Sequence, residues 1–166
     1  MAQFDLPTPH VIELTVGAAE VDAYDHVNNA VYLTWLDRAA WSHSAALGAP
    51  LERCLALRRG MAAQRIEIDY LRAAVSGDRV QAATWIVSAD ARLRAERRFQ
   101  IRRASDAATL ARARARVDYV CINLDSGRAV RMPELFARAY VVSTAGACSD
   151  LSARLQKLKR TNSSGP

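Results

Sequence analysis

The stretch from Val21 to Gly48, VDAYDHVNNAVYLTWLDRAAWSHSAALG, constrains the fold of this chain more than any other segment. It opens with a dense cluster of acidic, imidazole and amide side chains and continues with apolar residues at helical spacing. Asn28 or Asn29 can cap the helix, and Gly48 followed by Pro50 ends it. Since apolar residues lie all round this helix, we predict a buried central helix whose N-terminus is presented to the polar cluster.

Alternation of apolar and polar residues predicts five strands around this helix. They are His10–Val16, Met61–Leu71, Arg79–Ser88, Leu93–Arg102 and Leu110–Leu124. The Ala/Arg alternation in the last segment is also compatible with a helix, but its strict period of two favours a strand. One strand, a long helix and four more strands joined by short turns are typical of an α+β domain. We expect an antiparallel sheet wrapped around the helix.

The remaining segments are predicted to be short. We expect a helical turn at Glu52–Leu57, a short helix at Pro133–Ala139, one or two helical turns at Leu151–Leu158 and a disordered tail at Thr161–Pro166. The chain is therefore divided into one domain over residues 1–140 and a C-terminal extension over residues 141–166, partly helical or disordered. The open edge strands of such a sheet favour self-association.

The composition narrows the class of protein. Three cysteines in 166 residues, scattered and without a C-x-x-C pair, support neither a disulfide framework nor a zinc site. No apolar run can span a bilayer and the N-terminus lacks a signal pattern, so we expect a cytoplasmic protein that binds no membrane. The net charge of +6 is interpreted first as a solvated face, second as a site for an anionic ligand, and third as a nucleic-acid surface.

The polar cluster has the groups needed for hydrolysis of an activated ester. Asp22 lies just before the helix, where the helix dipole favours an ionised carboxylate that can attack an acyl carbon or take a proton from water. Backbone N–H groups of the first helical turn have no partner within the helix and can stabilise an oxyanion. His26 can orient the acyl carbonyl. In the structural alternative, Asp22 or Asp25 caps the turn and Asn28 caps the helix.

The remaining polar residues of the helix, and the motifs that do not occur in the sequence, give no second candidate for a catalytic site. Asp37 is interpreted as a structural polar group near a dimer face, and His43 as a packing or surface histidine. No G-x-S-x-G elbow, P-loop, H-E-x-x-H or G-x-G-x-x-G motif occurs, which removes the commonest hydrolase, nucleotide and zinc-protease interpretations.

The polar cluster and the start of the helix resemble the N-terminal signature of hotdog-fold acyl-CoA thioesterases of the 4-hydroxybenzoyl-CoA thioesterase-like group. The residues that carry this resemblance are Asp22, His26, Val27, Asn28, Asn29, Tyr32 and Asp37. The runs IEIDYL from Ile66 and DYVCI from Asp118 are similar to later strands of the group, so the likeness covers roughly residues 10–138. Asp25 departs from the group, which commonly has glycine there.

The resemblance implies a hotdog fold, an acyl-CoA thioesterase that needs no cofactor, and a homodimer or a dimer-of-dimers tetramer. It places Asp22 at the catalytic carboxylate and Asn29 at the position whose backbone N–H polarises the thioester carbonyl. His26 and Asn28 would shape the site, and Tyr32 would line the acyl pocket. Arg72 and Arg128 are candidates for holding coenzyme A phosphates.

Three alternatives stay open at this point. The first is a non-catalytic acyl-CoA or acyl-carrier binding module, or a thioesterase that takes acyl carrier protein. The second is a nucleic-acid-binding protein with a basic stripe on the outer sheet face, formed by Arg94, Arg98, Arg102, Arg112, Arg114 and Arg116. The third is a hotdog dehydratase, whose usual His-x-x-x-x-Pro-Gly helix start is not present here.

Overall fold

The computed structural model describes residues 4–105 and 109–143, with the backbone alone for residues 109–114. Within these ranges the chain forms one mixed domain of five strands and three α-helices, together with a 3-10 turn at Ala18–Glu20. The elements are, in chain order, β1 (His10–Thr15), α1 (Asn29–Ala46), α2 (Leu51–Ala56), β2 (Arg59–Tyr70), β3 (Arg79–Ala89), β4 (Arg94–Arg103), β5 (Thr109–Asn123) and α3 (Glu134–Ala139).

The long helix α1 begins and ends where its capping residues predict. The side-chain oxygen of Asn28 accepts a hydrogen bond from the backbone N–H of Ala30 at 2.9 Å, and Gly48 follows the helix with a φ of +89°. One side of α1 packs into the sheet, but Leu33 and Trp41 on the other side are exposed. The prediction of a helix buried all round is therefore not met within a single chain.

The five strands form one antiparallel sheet in the order β1-β3-β4-β5-β2. Strands β1 and β2 lie at opposite edges, so the connection between them carries α1 across the face of the sheet. This confirms the predicted α+β architecture with an antiparallel sheet around a long helix. The core between sheet and helix includes Tyr32, Trp35, Leu36, Phe99 and Ile101.

The outer face of β4 differs in part from the alternation that we predicted. Gln100 and Arg102 belong to the predicted polar face, yet they are 2% and 6% exposed. The segment before β1 covers them, since the Asp5 N–H donates to the side chain of Gln100 and the Arg102 guanidinium lies 4.6 Å from the ring centre of Phe4. A period of two cannot predict this cover, because it comes from a distant part of the chain.

The chain remains attached to the sheet beyond α3. The backbone N–H of Ser143 donates to the carbonyl of Ile86 at 2.8 Å, and the Ile86 N–H donates to the Ser143 hydroxyl at 3.1 Å. The predicted helical turns at Leu151–Leu158 and the predicted tail at Thr161–Pro166 lie outside the described residues. Within the part of the chain that is described, no helix is long and apolar enough to cross a membrane.

Candidate active site

The loop that leads into α1 is closed by its own hydrogen bonds. Val21 and Val27 form an antiparallel bridge, and the Asp22 N–H donates to the carbonyl of His26 at 2.8 Å. Asp25 turns the loop with a φ of +59°, a left-handed conformation that aspartate tolerates better than most residues. This explains how an aspartate can stand at a position where the resembling group commonly has glycine.

The carboxylate of Asp22 has one oxygen engaged and one available. Oδ1 accepts from the backbone N–H groups of Tyr24 at 2.8 Å and His26 at 3.4 Å. Among the described residues no group hydrogen-bonds to Oδ2. The structural and the chemical interpretation of this residue are therefore compatible, since the oxygen that holds the turn leaves the other to face a ligand.

A cavity of about 210 Å³ opens beside this carboxylate at the start of α1. It brings together five of the residues singled out in the sequence, namely Asp22, His26, Asn29, Tyr32 and Arg72. The rest of its lining is formed by Val27, Tyr70, Leu71 and Ala73. A carboxylate, a helix N-terminus and a cation thus face one cavity, although the residues come from the loop, the helix and the segment after β2.

The N-terminus of α1 presents one backbone donor to this cavity. The Ala30 N–H is bonded to the side chain of Asn28, and the Val31 N–H is bonded to the carbonyl of Asn28. The Asn29 N–H has no acceptor among the described residues. Because Asn29 lines the cavity, its N–H is available to a carbonyl oxygen of a ligand.

Two tyrosines hold the cavity wall against the helix. The hydroxyl of Tyr32, which is 2% exposed, accepts from the Ala74 N–H at 3.0 Å. The hydroxyl of Tyr70 donates to the carbonyl of Asn29 at 3.1 Å. Their rings meet edge to face with centroids 5.3 Å apart. Burial raises the pKa of both phenols, so both remain neutral hydrogen-bonding groups.

An ion pair braces the segment that follows β2. The guanidinium of Arg103 donates from Nε to the carboxylate of Asp78 at 2.9 Å and from Nη2 to the carbonyl of Ala73 at 3.1 Å. The same carboxylate accepts from the Val75 N–H at 3.1 Å. This arrangement fixes the wall that carries Arg72. Sequence patterns miss it, because Arg103 lies 30 residues from Ala73 in the chain.

Glu20 fastens the loop to the helix from the other side. Its Oε1 accepts from the indole N–H of Trp35 at 3.3 Å, and its Oε2 accepts from the Gly17 N–H at 2.8 Å. Its backbone carbonyl accepts from the Asn28 N–H at 2.9 Å. Glu20 therefore helps to fix the position and direction of the free Asn29 N–H.

Two of the predicted ligand-binding residues do not reach the cavity. The Asn28 side chain caps the helix and is not part of the lining. Arg128 lies beyond β5, where its carbonyl accepts from the Asn123 N–H at 3.0 Å. Asn123 pairs with Arg59 at the start of β2, whereas the cavity adjoins Tyr70 at its end. At ~3.3 Å per residue, these ends are on the order of 30 Å apart.

The predicted basic stripe on the outer sheet face is interrupted by acids. Arg98 and Arg116 approach the carboxylate of Glu96 at 3.6 and 3.4 Å, and Arg116 also pairs with Asp118 at 3.0 Å. Arg102 is buried under the N-terminal segment. The side chains of Arg112 and Arg114 lie outside the described ones. The described arginines therefore do not form the continuous cationic surface that a nucleic acid needs.

No cluster of His, Cys, Asp and Glu side chains suited to a metal ion occurs among residues 4–105 and 109–143.

Comparison with known proteins identifies similar chains. A family model described as the thioesterase-like superfamily matches residues 16–140. No curated protein matches the chain significantly. Among solved structures, a 1,4-dihydroxy-2-naphthoyl-CoA thioesterase from Synechocystis is similar with a TM-score of 0.70 and 24% identity, covering 80% of this chain and 96% of its own.

Two further solved structures have the same architecture. A probable thioesterase from Escherichia coli matches with a TM-score of 0.65 and 24% identity, over 81% of this chain and 99% of its own. A DHNA-CoA thioesterase from Staphylococcus aureus matches with a TM-score of 0.68 and 16% identity, over 92% and 93%. At these identities the likeness concerns the fold, and the predicted hotdog fold is confirmed.

Proposed function

The chain belongs to the thioesterase-like superfamily and is a thioester hydrolase, and from that premise we propose that it hydrolyses acyl-coenzyme A with Asp22 as its catalytic carboxylate. The observation that carries this proposal is the placement of two unused groups on one cavity. The free Oδ2 of Asp22 and the free N–H of Asn29 both adjoin the space of about 210 Å³ at the start of α1.

In the proposed reaction the thioester carbonyl accepts a hydrogen bond from the Asn29 N–H, which polarises the carbon and stabilises the oxyanion. Asp22 then either attacks the acyl carbon or takes a proton from an attacking water. The carbon–sulfur bond breaks and the thiolate of coenzyme A leaves, taking up a proton from water. Because a thiolate is a good leaving group, the site needs no strong general acid. His26, on the same cavity, would orient the acyl carbonyl.

The two routes for Asp22 differ in where the oxygen of water goes. In a single turnover in ¹⁸O water, attack by the carboxylate leaves the label in Asp22 after the anhydride is hydrolysed at that residue. Proton abstraction places all the label in the released acid. Mass spectrometry of the peptide that contains Asp22 and of the acid separates the two routes.

The substrate contacts are also part of the proposal. Tyr32 and Leu71 provide apolar surface for the acyl group, and the exposed guanidinium of Arg72 lies at the same cavity, where it can pair with an anionic part of coenzyme A. Asn28 would act only through the helix cap, and Arg128 of the same chain is too distant to join this cavity.

Self-association is supported by the exposed surfaces of the single chain. Strand β2 lies at an edge of the sheet, and Leu33 and Trp41 expose an apolar side of α1. We therefore propose a homodimer, with a dimer of dimers as the larger assembly that the resemblance implies. Cys54 and Cys121 are buried free thiols, which supports a reducing compartment such as the cytoplasm.

The direct test is thiol release from a panel of acyl-coenzyme A esters, aromatic and aliphatic, followed with a thiol-trapping reagent. We expect enzyme-dependent release, faster for coenzyme A esters than for the same acyl groups on acyl carrier protein. Tight binding of the esters without thiol release would instead identify a non-catalytic binding module. The reverse preference would identify a carrier-protein thioesterase.

A further inference from the structure

The Asp22 cavity has a hydrogen-bond donor that the proposed reaction does not use, the hydroxyl of Tyr32. Tyr32 and Ala73 both line this cavity. Because the hydroxyl accepts from the N–H of the next residue, Ala74, at 3.0 Å, it lies at the cavity wall. A phenol hydroxyl also carries one proton of its own, and no described residue accepts a hydrogen bond from it. That proton is therefore available to a ligand.

The packing around Tyr32 fixes the position of this hydroxyl. The side chain is buried, and its ring lies against the rings of Trp35 and Tyr70, with centroid distances of 4.9 and 5.3 Å. Its partner Ala74 is held in turn, because the Ala74 carbonyl accepts from the Val27 N–H at 2.9 Å. A ring held in this way cannot carry its hydroxyl to another acceptor, so the proton is offered at one fixed point of the wall.

Two other donors of the cavity are already committed. The Tyr70 hydroxyl donates to the carbonyl of Asn29 at 3.1 Å, and the Asn29 N–H is assigned to the thioester carbonyl. Val27 and Leu71, which also line the cavity, offer only apolar side chains. The Tyr32 O–H is therefore a donor that can serve the acyl group itself, in a lining that is otherwise apolar at several positions.

Burial makes this free proton important for selectivity. It raises the pKa of the Tyr32 phenol, so the group stays protonated and remains a donor at neutral pH. A purely apolar acyl group packed against a buried donor would leave it unpaired, whereas an oxygen at the same place would satisfy it. Asn29 and Tyr32 lie ~4.5 Å apart along the axis of α1, and an oxygen two carbons beyond the thioester carbonyl spans a similar distance.

We propose that Tyr32 determines the acyl specificity of this enzyme by donating a hydrogen bond to a hydroxyl or oxo oxygen on the third carbon of the acyl chain. This specificity rests on the proposed thioesterase activity and names its substrate class, short 3-oxygenated acyl esters of coenzyme A. The cavity of about 210 Å³ has room for such a group. A water molecule takes roughly 30 Å³, and a four-carbon acyl group is only a few times larger.

The kinetic test compares 3-hydroxybutyryl-coenzyme A, as each enantiomer, with 3-methylbutyryl-coenzyme A. The methyl ester has nearly the same shape as the hydroxy ester and cannot accept a hydrogen bond. For each ester, kcat/KM is divided by its rate of hydrolysis by hydroxide, which removes differences in intrinsic reactivity. We expect the wild type to favour one enantiomer of the hydroxy ester at least about fivefold over the methyl ester. Equal values for the hydroxy and methyl esters would overturn the proposal.

Two variants assign the preference to one hydroxyl. Tyr32→Phe removes the hydroxyl and keeps the ring, and we expect its ratio of hydroxy to methyl ester to fall to about one. Tyr70→Phe is the matched control, because it removes the other wall hydroxyl, whose proton is bound to the Asn29 carbonyl. It should lower turnover of both esters and keep the preference. A preference that survives in Tyr32→Phe, or is lost equally in Tyr70→Phe, would refute the assignment to Tyr32.

A binding test on the wild-type protein needs neither turnover nor a folded variant. S-(4-hydroxy-2-oxopentyl)-coenzyme A and S-(4-methyl-2-oxopentyl)-coenzyme A have a methylene between sulfur and carbonyl, so neither can be hydrolysed as a thioester. In calorimetric titration we expect the hydroxy analogue to bind at least about fivefold more tightly. Equal affinities, or no binding of either analogue, would overturn the proposal. Absence of thiol release from both esters would refute the thioesterase proposal alone, while this titration still decides the role of Tyr32.

Discussion

Replacement of Asp22 by asparagine separates the chemical role of this residue from its structural role. The structure shows Oδ1 holding the turn through the N–H groups of Tyr24 and His26. Asparagine keeps a carbonyl oxygen for those two bonds and removes the charge. We therefore expect Asp22→Asn to fold and assemble as the wild type does, with an unfolding free energy changed by less than about 1 kcal/mol.

Turnover should respond very differently. A positioned catalytic carboxylate contributes about 10²–10⁴ in rate, which corresponds to roughly 2.7–5.4 kcal/mol of activation free energy. We expect Asp22→Asn to lower kcat for acyl-coenzyme A hydrolysis by a factor of about 10²–10⁴, measured by thiol trapping. Asp22→Ala should lose activity to a similar extent, and it also removes the two hydrogen bonds that Oδ1 accepts in the turn. The loss of these two hydrogen bonds should lower the unfolding free energy by about 1–3 kcal/mol and Tm by several degrees.

The matched control is Asp25→Asn. It removes one negative charge from the same loop, and asparagine tolerates the left-handed φ of +59° at this position. We expect its kcat to stay within about threefold of the wild type. Turnover retained by Asp22→Asn, or lost equally in both variants, would refute the reasoning. In the second case the loop acts through its overall charge and not through one placed carboxylate.

Three further substitutions test the site wall, the buried histidine and the substrate contact. Tyr32→Phe leaves the buried Ala74 N–H without its acceptor and should cost about 1–3 kcal/mol in the unfolding free energy; an unchanged calorimetric Tm would contradict this. Since burial lowers the pKa of His43 from 6.5 to about 3 on folding, only the unfolded state gains its proton between these values. Stability should therefore drop by up to roughly 1.4 kcal/mol per pH unit below 6.5, and His43→Gln should flatten that slope in denaturant titrations from pH 7 to pH 4. Arg72→Ala should raise KM about tenfold for acyl-coenzyme A and little for acyl-pantetheine, and equal increases would argue against pairing with the nucleotide part.

The local patterns of the sequence predict the fold well. The ends of α1 follow from the Asn28 cap and from Gly48, because both residues act on backbone groups within a few positions of themselves in the sequence. Strand positions follow from alternation, which depends on residues two apart. The order of the strands is not local, and nothing in the sequence pattern places β2 at the edge beside β5.

The candidate site could be predicted only in part, because sequence patterns show local relations and some of the site residues come from distant parts of the chain. The loop and helix residues Asp22 and Asn29 are close in sequence and meet at one cavity as expected. Tyr70 and Arg103 reach the site from distant strands, and no spacing rule links them to it.

The two wall tyrosines have a consequence for how this enzyme can change. Tyr32 and Tyr70 both use their hydroxyls on backbone groups, which fixes the wall to the helix regardless of the side chains beside them. Leu71 and Arg72 line the cavity while that anchoring leaves them unconstrained. Natural variation or laboratory selection at Leu71 can therefore shift the preferred acyl group, and variation at Arg72 the affinity for coenzyme A, while the reacting groups keep their places. A library restricted to Leu71 should yield altered acyl selectivity with few inactive members.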